Sequence, residues 1–241
     1  MSWMDGELVG FDLETTSADP TIARPVSYSL VRYAGRRAVN ADNGLVDPGV
    51  PIPEDASAVH GITADVLAAA GPIGLDDGIT MLRDALCDAS RAGIPLVGMN
   101  LKYDLTVIDA NARRIDGIGL RDDDWNGPVL DILVIDRALD RYRDGRRTLS
   151  SLAETYGVGL DHAHDAAADV GAAVQVLFAI GDRYPGELAA RELDEIYELQ
   201  KGWHRDWARN YSSWLTGQGR PALPATEEVW PLVARAAGDR A

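Results

Sequence analysis

Hydrophobic and polar positions divide the chain into short blocks. Glu7-Leu8-Val9-Gly10-Phe11-Asp12-Leu13 is an apolar run that ends in acids, and it predicts a buried strand with carboxylates at its tip. Val26 to Tyr33 alternates in part and predicts a second strand. Gly35-Arg36-Arg37 supplies a turn, and Ala38 to Val46 returns as a third strand, so the chain opens as an antiparallel meander. Pro48, Pro51 and Pro53 then enforce a loop. Thr63 caps a helix to Ala70 that Gly71-Pro72 stops, and Ile79, Leu82, Leu86 and Ala89 recur at helical spacing within a helix from Asp76 to Ala92.

Ile94 to Met99 predicts another core strand, followed by a helix to about Arg114. Val129 to Val134 reads as a strand whose continuation to Leu139 is equally consistent with helix. Leu149 to Tyr156 predicts a short helix closed by Gly157, and Ala166 to Ile180 an Ala/Val-rich helix closed by Gly181. A strand meander followed by alternating strands and helices predicts an α/β fold with a mixed sheet flanked by helices. Composition shifts after Asp182, so residues 1–181 read as one unit and 182–241 as a helical extension. In the extension, Glu187 to Leu215 predicts one long helix and Glu227 to Ala237 a last one. Trp203, Trp207 and Tyr211 recur at four-residue spacing, which places them on one helix face for packing against the domain, a partner or a second copy.

The chain has 241 residues, enough to bury a sizeable core. No stretch reaches the roughly 18 apolar residues of a membrane span, and the start lacks a basic segment followed by an apolar one, so a cytoplasmic location without membrane contact is expected. Cys87 is the sole cysteine, which excludes an internal disulfide and any multi-cysteine zinc site. Against 23 Lys and Arg stand 38 Asp and Glu, a net charge of −15 that argues against coating DNA through a broad basic face. A local site remains compatible with nucleic acid, because divalent cations can bridge clustered carboxylates to phosphate.

Three segments carry candidate chemistry. In Asp12-Leu13-Glu14, followed by Thr15-Thr16, residues two apart on a strand face the same side, so both carboxylates can converge on one hard cation. A solvated strand terminus would look the same. Val97 to Asp104 delivers Asn100 from a strand end and Asp104 into the first turn of a helix, where the helix dipole alone would also favour an acid. His162-Ala163-His164-Asp165 leads into a helix carrying Asp169, placing a histidine about one turn from an acid. Imidazole titrates near neutral pH and suits a base that takes a proton from water.

Taken in order and spacing, these segments resemble the DnaQ-like 3′–5′ exonucleases of the DEDDh branch, the family of the proofreading subunit of bacterial replicative DNA polymerase. Asp12 and Glu14 match its first motif, Asp104 its second, and His164 with Asp169 its third. Asp165 stands where the sister branch has tyrosine. Asp47 to Pro53 and Ala58 to Thr63 look like the family's loop and helix between the first two motifs. Ser17 replaces the usual glycine after the double threonine, and Tyr103 replaces a common phenylalanine.

The resemblance covers about residues 6–181 and implies a ribonuclease-H-like fold with a mixed five-stranded sheet. It further implies two Mg²⁺ or Mn²⁺ ions held by Asp12, Glu14, Asp104 and Asp169, with His164 as the base that activates water. Thr15, Thr16, His60 and Tyr103 become candidates for contacts to the terminal nucleotide. The implied substrate is a single-stranded or frayed 3′ end of DNA, cut to nucleoside 5′-monophosphates in proofreading or repair, with a polymerase or repair subunit as partner. An exoribonuclease of the same family and a non-catalytic binding module of a polymerase assembly are the competing readings.

Overall fold

The structure, a computed structural model, describes residues 2–160 and 166–232. The expected meander is present as β1 (Glu7–Thr15), β2 (Pro25–Ala34) and β3 (Arg37–Asp47), antiparallel throughout. After it come α1 (Glu54–His60), α2 (Ala64–Ala70), β4 (Ile73–Gly74), α3 (Leu75–Arg91), β5 (Leu96–Gly98) and α4 (Leu101–Asp116). The chain continues through β6 (Val129–Asp131), α5 (Ile132–Leu139), α6 (Leu149–Tyr156), α7 (Ala166–Arg183) and α8 (Leu193–Gly217). The sheet order is β4-β3-β2-β1-β5-β6, with β5 parallel to β1 and β6 parallel to β5. This is the ribonuclease-H-like α/β architecture, its five expected strands joined by a two-residue sixth at the β3 edge. Gly71-Pro72 had marked that edge only as a helix stop.

Alternation along β1 divides the core. Val9, Phe11 and Leu13 pack toward α3 and α4, among Leu82, Leu86, Leu101 and Leu105. Leu8 faces the other way, toward Val170, Val174 and Leu177 of α7. Gly10 shares that second face, and a β-carbon there would lie 2.4 Å from Val170 Cγ1. Glycine therefore lets α7 approach the strand just before Asp12.

Four boundaries differ from the sequence reading. The Val129–Leu139 segment is strand for three residues and helix for the other eight, divided where the Asp131 side chain accepts from Leu133 N and caps α5. Helix α7 runs past Gly181 to Arg183, and a β-carbon at Gly181 would meet Met4 Sδ at 2.9 Å, so this glycine permits packing and does not end the helix. The long helix expected from Glu187 is broken: Pro185–Ala189 forms a separate turn and α8 starts at Leu193. Ser2 Oγ donates to Ala189 O and Trp3 Nε1 to Leu188 O, occupying acceptors that a continuous helix would use.

The helix expected from Glu227 is absent over its described part. Only a 3₁₀ turn, Ala225–Glu228, forms there, because Pro231 has no N–H to offer the Glu227 carbonyl. Lys102 Nζ and His204 Nε2 engage that carbonyl instead, at 3.2 and 2.9 Å. The remainder of that expected helix, residues 233–237, lies outside the described residues.

Helix α8 covers the β6 edge. Gln200 accepts from Asp131 N at 2.8 Å and donates to Val129 O at 2.7 Å, taking the place of a neighbouring strand. Among the described residues no helix is long and apolar enough to cross a membrane.

Candidate active site

Because β1, β5 and β6 are parallel, their carboxyl ends share one edge of the sheet, and β1 extends beyond β5 there. Gly10, Asp12 and Glu14 alternate onto the α7 face, and α7 carries Asp169 in its first turn. Carboxylate oxygens of Asp12, Glu14 and Asp169 all lie within 4.8 Å of one another. Acids remote in sequence thus meet at one strand tip.

Asp104 reaches the same tip from the opposite face. Val9 N donates to Pro95 O at 3.0 Å, so the odd-numbered N–H groups of β1 point toward β5. Beyond the end of β5, Leu13 N would lack a strand partner, and Asp104 Oδ1 accepts from it at 3.2 Å. This bond fixes a carboxylate from α4 against the middle of Asp12-Leu13-Glu14. Asp104 is only 4% exposed.

The turn that presents Asp104 depends on an acid the sequence reading passed over. Asn100 adopts a left-handed conformation, φ 64°, and its N–H donates to Asp131 Oδ1 at 2.9 Å. Asp131 also caps α5, so one buried carboxylate ties the β5–α4 turn to the end of β6. The available signal was an acid interrupting the apolar run from Val129 to Val134.

Burial, with crowding added to it, raises these acids. Asp12 is pushed well above the ordinary carboxylate range, chiefly by burial and then by the charges of Asp104, Glu14 and Asp169. Burial likewise raises Asp104, opposed by hydrogen bonds from its own N–H and Leu13 N and reinforced by Asp131 and Glu14. Asp131 is raised by burial, against the hydrogen bonds from Asn100 and Leu133. Neither Asp12 nor Asp104 has an ion-pair cation among the described residues. An all-oxygen donor set whose charges repel one another suits a hard divalent cation such as Mg²⁺ or Mn²⁺.

The remaining expected residues are distributed around this cluster. Tyr103 hydroxyl bonds both Thr15 Oγ1 and Ser17 O, and burial pushes it up to about 12. Thr16 is buried, and its hydroxyl accepts from Arg24 N at 3.0 Å, tying the β1–β2 connection. His60 ends α1, accepts from Ile62 N at 3.0 Å, and lines a cavity of about 440 Å³ with Ser27, Asn43, Ala166 and Ala167. Ser27 is the ladder partner of Glu14, so this cavity adjoins the acid cluster. Val59, beside His60, is 55% exposed and not core. His164 lies outside the described residues.

A ribonuclease-H-like sheet with clustered acids at the end of its first strand defines a nuclease. Residues 9–177 match the family model described as RNase T, exonuclease. The chain belongs to that family and is a DnaQ-like 3′–5′ exonuclease. It is 29% identical over 174 residues to the PolC-type DNA polymerase III of Lacticaseibacillus paracasei, matching 72% of this chain and 11% of that one. It is 25% identical over 198 residues to the PolC-type enzyme of Thermotoga maritima, covering 81% of this chain and 13% of that one.

Among solved structures, exonuclease I of Methylocaldum szegediense superposes with a TM-score of 0.62 at 23% identity, over 75% of this chain and 41% of that one. Exonuclease I of E. coli in complex with a dT13 oligonucleotide superposes with a TM-score of 0.62 at 19% identity, over 75% of this chain and 42% of that one. These two likenesses concern the fold. This chain therefore spans a small part of its PolC relatives and under half of either exonuclease I chain.

Proposed function

We propose that this exonuclease removes nucleoside 5′-monophosphates from the 3′ end of single-stranded or frayed DNA, using two Mg²⁺ or Mn²⁺ ions, in proofreading or repair. The observation that carries the reading is the convergence of Asp12, Glu14 and Asp169 within 4.8 Å, with Asp104 tethered to Leu13 beside them. Likeness to PolC-type polymerases, and to exonuclease I bound to dT13 and dA16 oligonucleotides, supports DNA over RNA and a polymerase or repair subunit as partner. On this reading residues 1–181 form the exonuclease unit and 182–241 an extension, whose helix α8 docks on that unit through Gln200.

Asp12, Glu14 and Asp169 would hold the ions, with Asp104 supporting the second. Divalent cations there would neutralise the charge that builds on the attacked phosphate and on the leaving oxygen. His164 takes the proton of the attacking water. Thr15 and Tyr103, joined through their hydroxyls, border the position of the terminal nucleotide, and His60 faces it across the adjoining cavity. Thr16 contributes through the backbone geometry that its bond to Arg24 maintains.

The test is digestion of 3′-labelled single-stranded DNA, recessed duplex DNA and RNA with Mg²⁺, Mn²⁺ or EDTA. Metal-dependent loss of 3′ nucleotides from DNA is expected. Faster trimming of RNA would reassign the substrate, and no cleavage of any of them would favour a binding module.

A further inference from the structure

We infer that the flank built from α5, the loop after it and α8 is a track for single-stranded DNA leading away from the acid cluster. This rests on the proposed DNA exonuclease reading. The first observation is charge. Residues 137–147 hold Arg137, Arg141, Arg143, Arg146 and Arg147 against Asp140 and Asp144, five of the 23 basic residues in a chain of net charge −15.

These arginines divide into two groups. Arg143 and Arg147 are bound to the buried Asp136, at 2.6 and 2.7 Å, and hold the loop in place. Arg137 lies over the Trp207 ring, 3.7 Å from its centroid. Arg141 and Arg146 are exposed and form no ion pair among the described residues, so their guanidinium groups are available to phosphate.

The second observation is aromatic. On α8, Trp207 stacks on Tyr211 at 5.5 Å and 11°, and Tyr211 on Trp214 at 5.6 Å and 12°. The ladder ends at Trp214, 53% exposed, and across the loop Tyr142 is 88% exposed. Between the helices runs a groove of about 520 Å³, with Arg137, Arg141 and Arg147 on one wall and Trp207 and Tyr211 on the other. Asp206 also lines it. The exposed rings of Trp214 and Tyr142, on which bases can stack, set beside cations that follow a backbone, form the combination that holds single strands without reading sequence.

The third observation is position. Helix α5 springs from Asp131, the residue that holds the Asn100 turn before Asp104. In sheet order β6 lies two strands from β1, a separation of about 10 Å. A strand with its 3′ end at Asp12 need cross only the ends of β5 and β6 to reach the groove.

Fluorescence anisotropy of the full chain in EDTA, with an end-labelled oligo(dT) of about 20 nucleotides, tests the track. Arg141→Ala with Arg146→Ala should raise Kd about tenfold and flatten the slope of log K against log salt by about 1.4, the value for two lost phosphate contacts to a single strand. Tyr142→Ala with Trp214→Ala should raise Kd at least about thirtyfold with the slope unchanged, since stacking releases no counterions. Hydrolysis of p-nitrophenyl thymidine 5′-phosphate, which reaches only the acid cluster, should keep its wild-type kcat/KM in both variants.

Wild-type affinity for oligo(dT) in both double variants would overturn the track, as would a loss confined to oligo(U) or to an acidic peptide. Absence of metal-dependent hydrolysis in the wild-type protein would refute the exonuclease reading separately, because anisotropy in EDTA requires no catalysis.

Discussion

Two acidic centres in this protein have opposite surroundings. Asp136, fully buried on α5, accepts from Arg143 Nη2 at 2.6 Å, Arg147 Nε at 2.7 Å and Tyr156 hydroxyl at 2.9 Å. Asp12 and Asp104, at the β1 tip, face other acids and have no ion-pair cation among the described residues. A buried charge needs either a permanent partner or a large shift in its protonation. The fold supplies the partner at Asp136, where the task is to hold a loop. At β1 it supplies repulsion, which a divalent ligand would relieve.

Charge removal at the two centres should therefore act on different properties. Asp12→Asn keeps the shape and deletes the charge, so 3′ cleavage should fall at least about a thousandfold, the effect of losing several kcal/mol of transition-state stabilisation. Its thermal midpoint without metal should not fall. Asp136→Asn should do the reverse, leaving the half-buried Arg143 and Arg147 guanidinium groups without the buried carboxylate they share. A loss of about 3–5 kcal/mol is expected for a broken buried pair, and that much lowers the midpoint by about 6–20 °C in a chain this size. Hydrolysis of p-nitrophenyl thymidine 5′-phosphate per folded molecule should stay near wild type. Equal stability losses at the two sites would erase the contrast.

A third buried group sharpens the comparison from the basic side. His204 packs on Trp207 near Lys102 and Arg137, and it is lowered to about 4 mainly by burial, with those two cations adding. The folded state therefore keeps this imidazole neutral below its ordinary value of 6.5, while the unfolded chain takes up the proton. Stability is full above pH 6.5 and is lost as pH falls toward about 4; the loss is about 3 kcal/mol at its limit. His204→Gln should flatten the midpoint between those pH values relative to wild type, and parallel curves would refute the assignment.

The smallest effect concerns Asp104. Asp104→Asn retains an oxygen for Leu13 N and removes a raised, buried carboxylate, so the metal-free chain should gain about 1 kcal/mol in chemical denaturation while cleavage drops. A loss of stability would mean that the carboxylate is compensated after all.

Much of this arrangement was legible in the sequence because it follows local rules. Asp12 and Glu14 share a strand face through period-two geometry, Thr63 caps α2 by accepting from Val66 N, and Gly157 closes α6 in the left-handed region. What escaped depends on partners distant in sequence. The break before α8 needs Trp3 and Ser2 from the other end of the chain, and the lost helix at Glu227 needs Lys102 and His204. Asp131 looked like one more strand residue until its bond to Asn100 became visible. The Trp203, Trp207 and Tyr211 spacing, read as one packing face, divides: Trp203 packs on both hydrophobic clusters, whereas Trp207 and Tyr211 stack along their own helix in a ladder that ends at the exposed Trp214.

Titrating Mn²⁺ into the wild-type protein and into Asp12→Asn, followed by calorimetry and by the thermal midpoint, addresses the uncompensated cluster directly. Saturable binding that raises the wild-type midpoint and disappears in Asp12→Asn is the expected result. Identical binding by both proteins, or none by either, would show that the acids at the β1 tip meet for some purpose other than holding a cation.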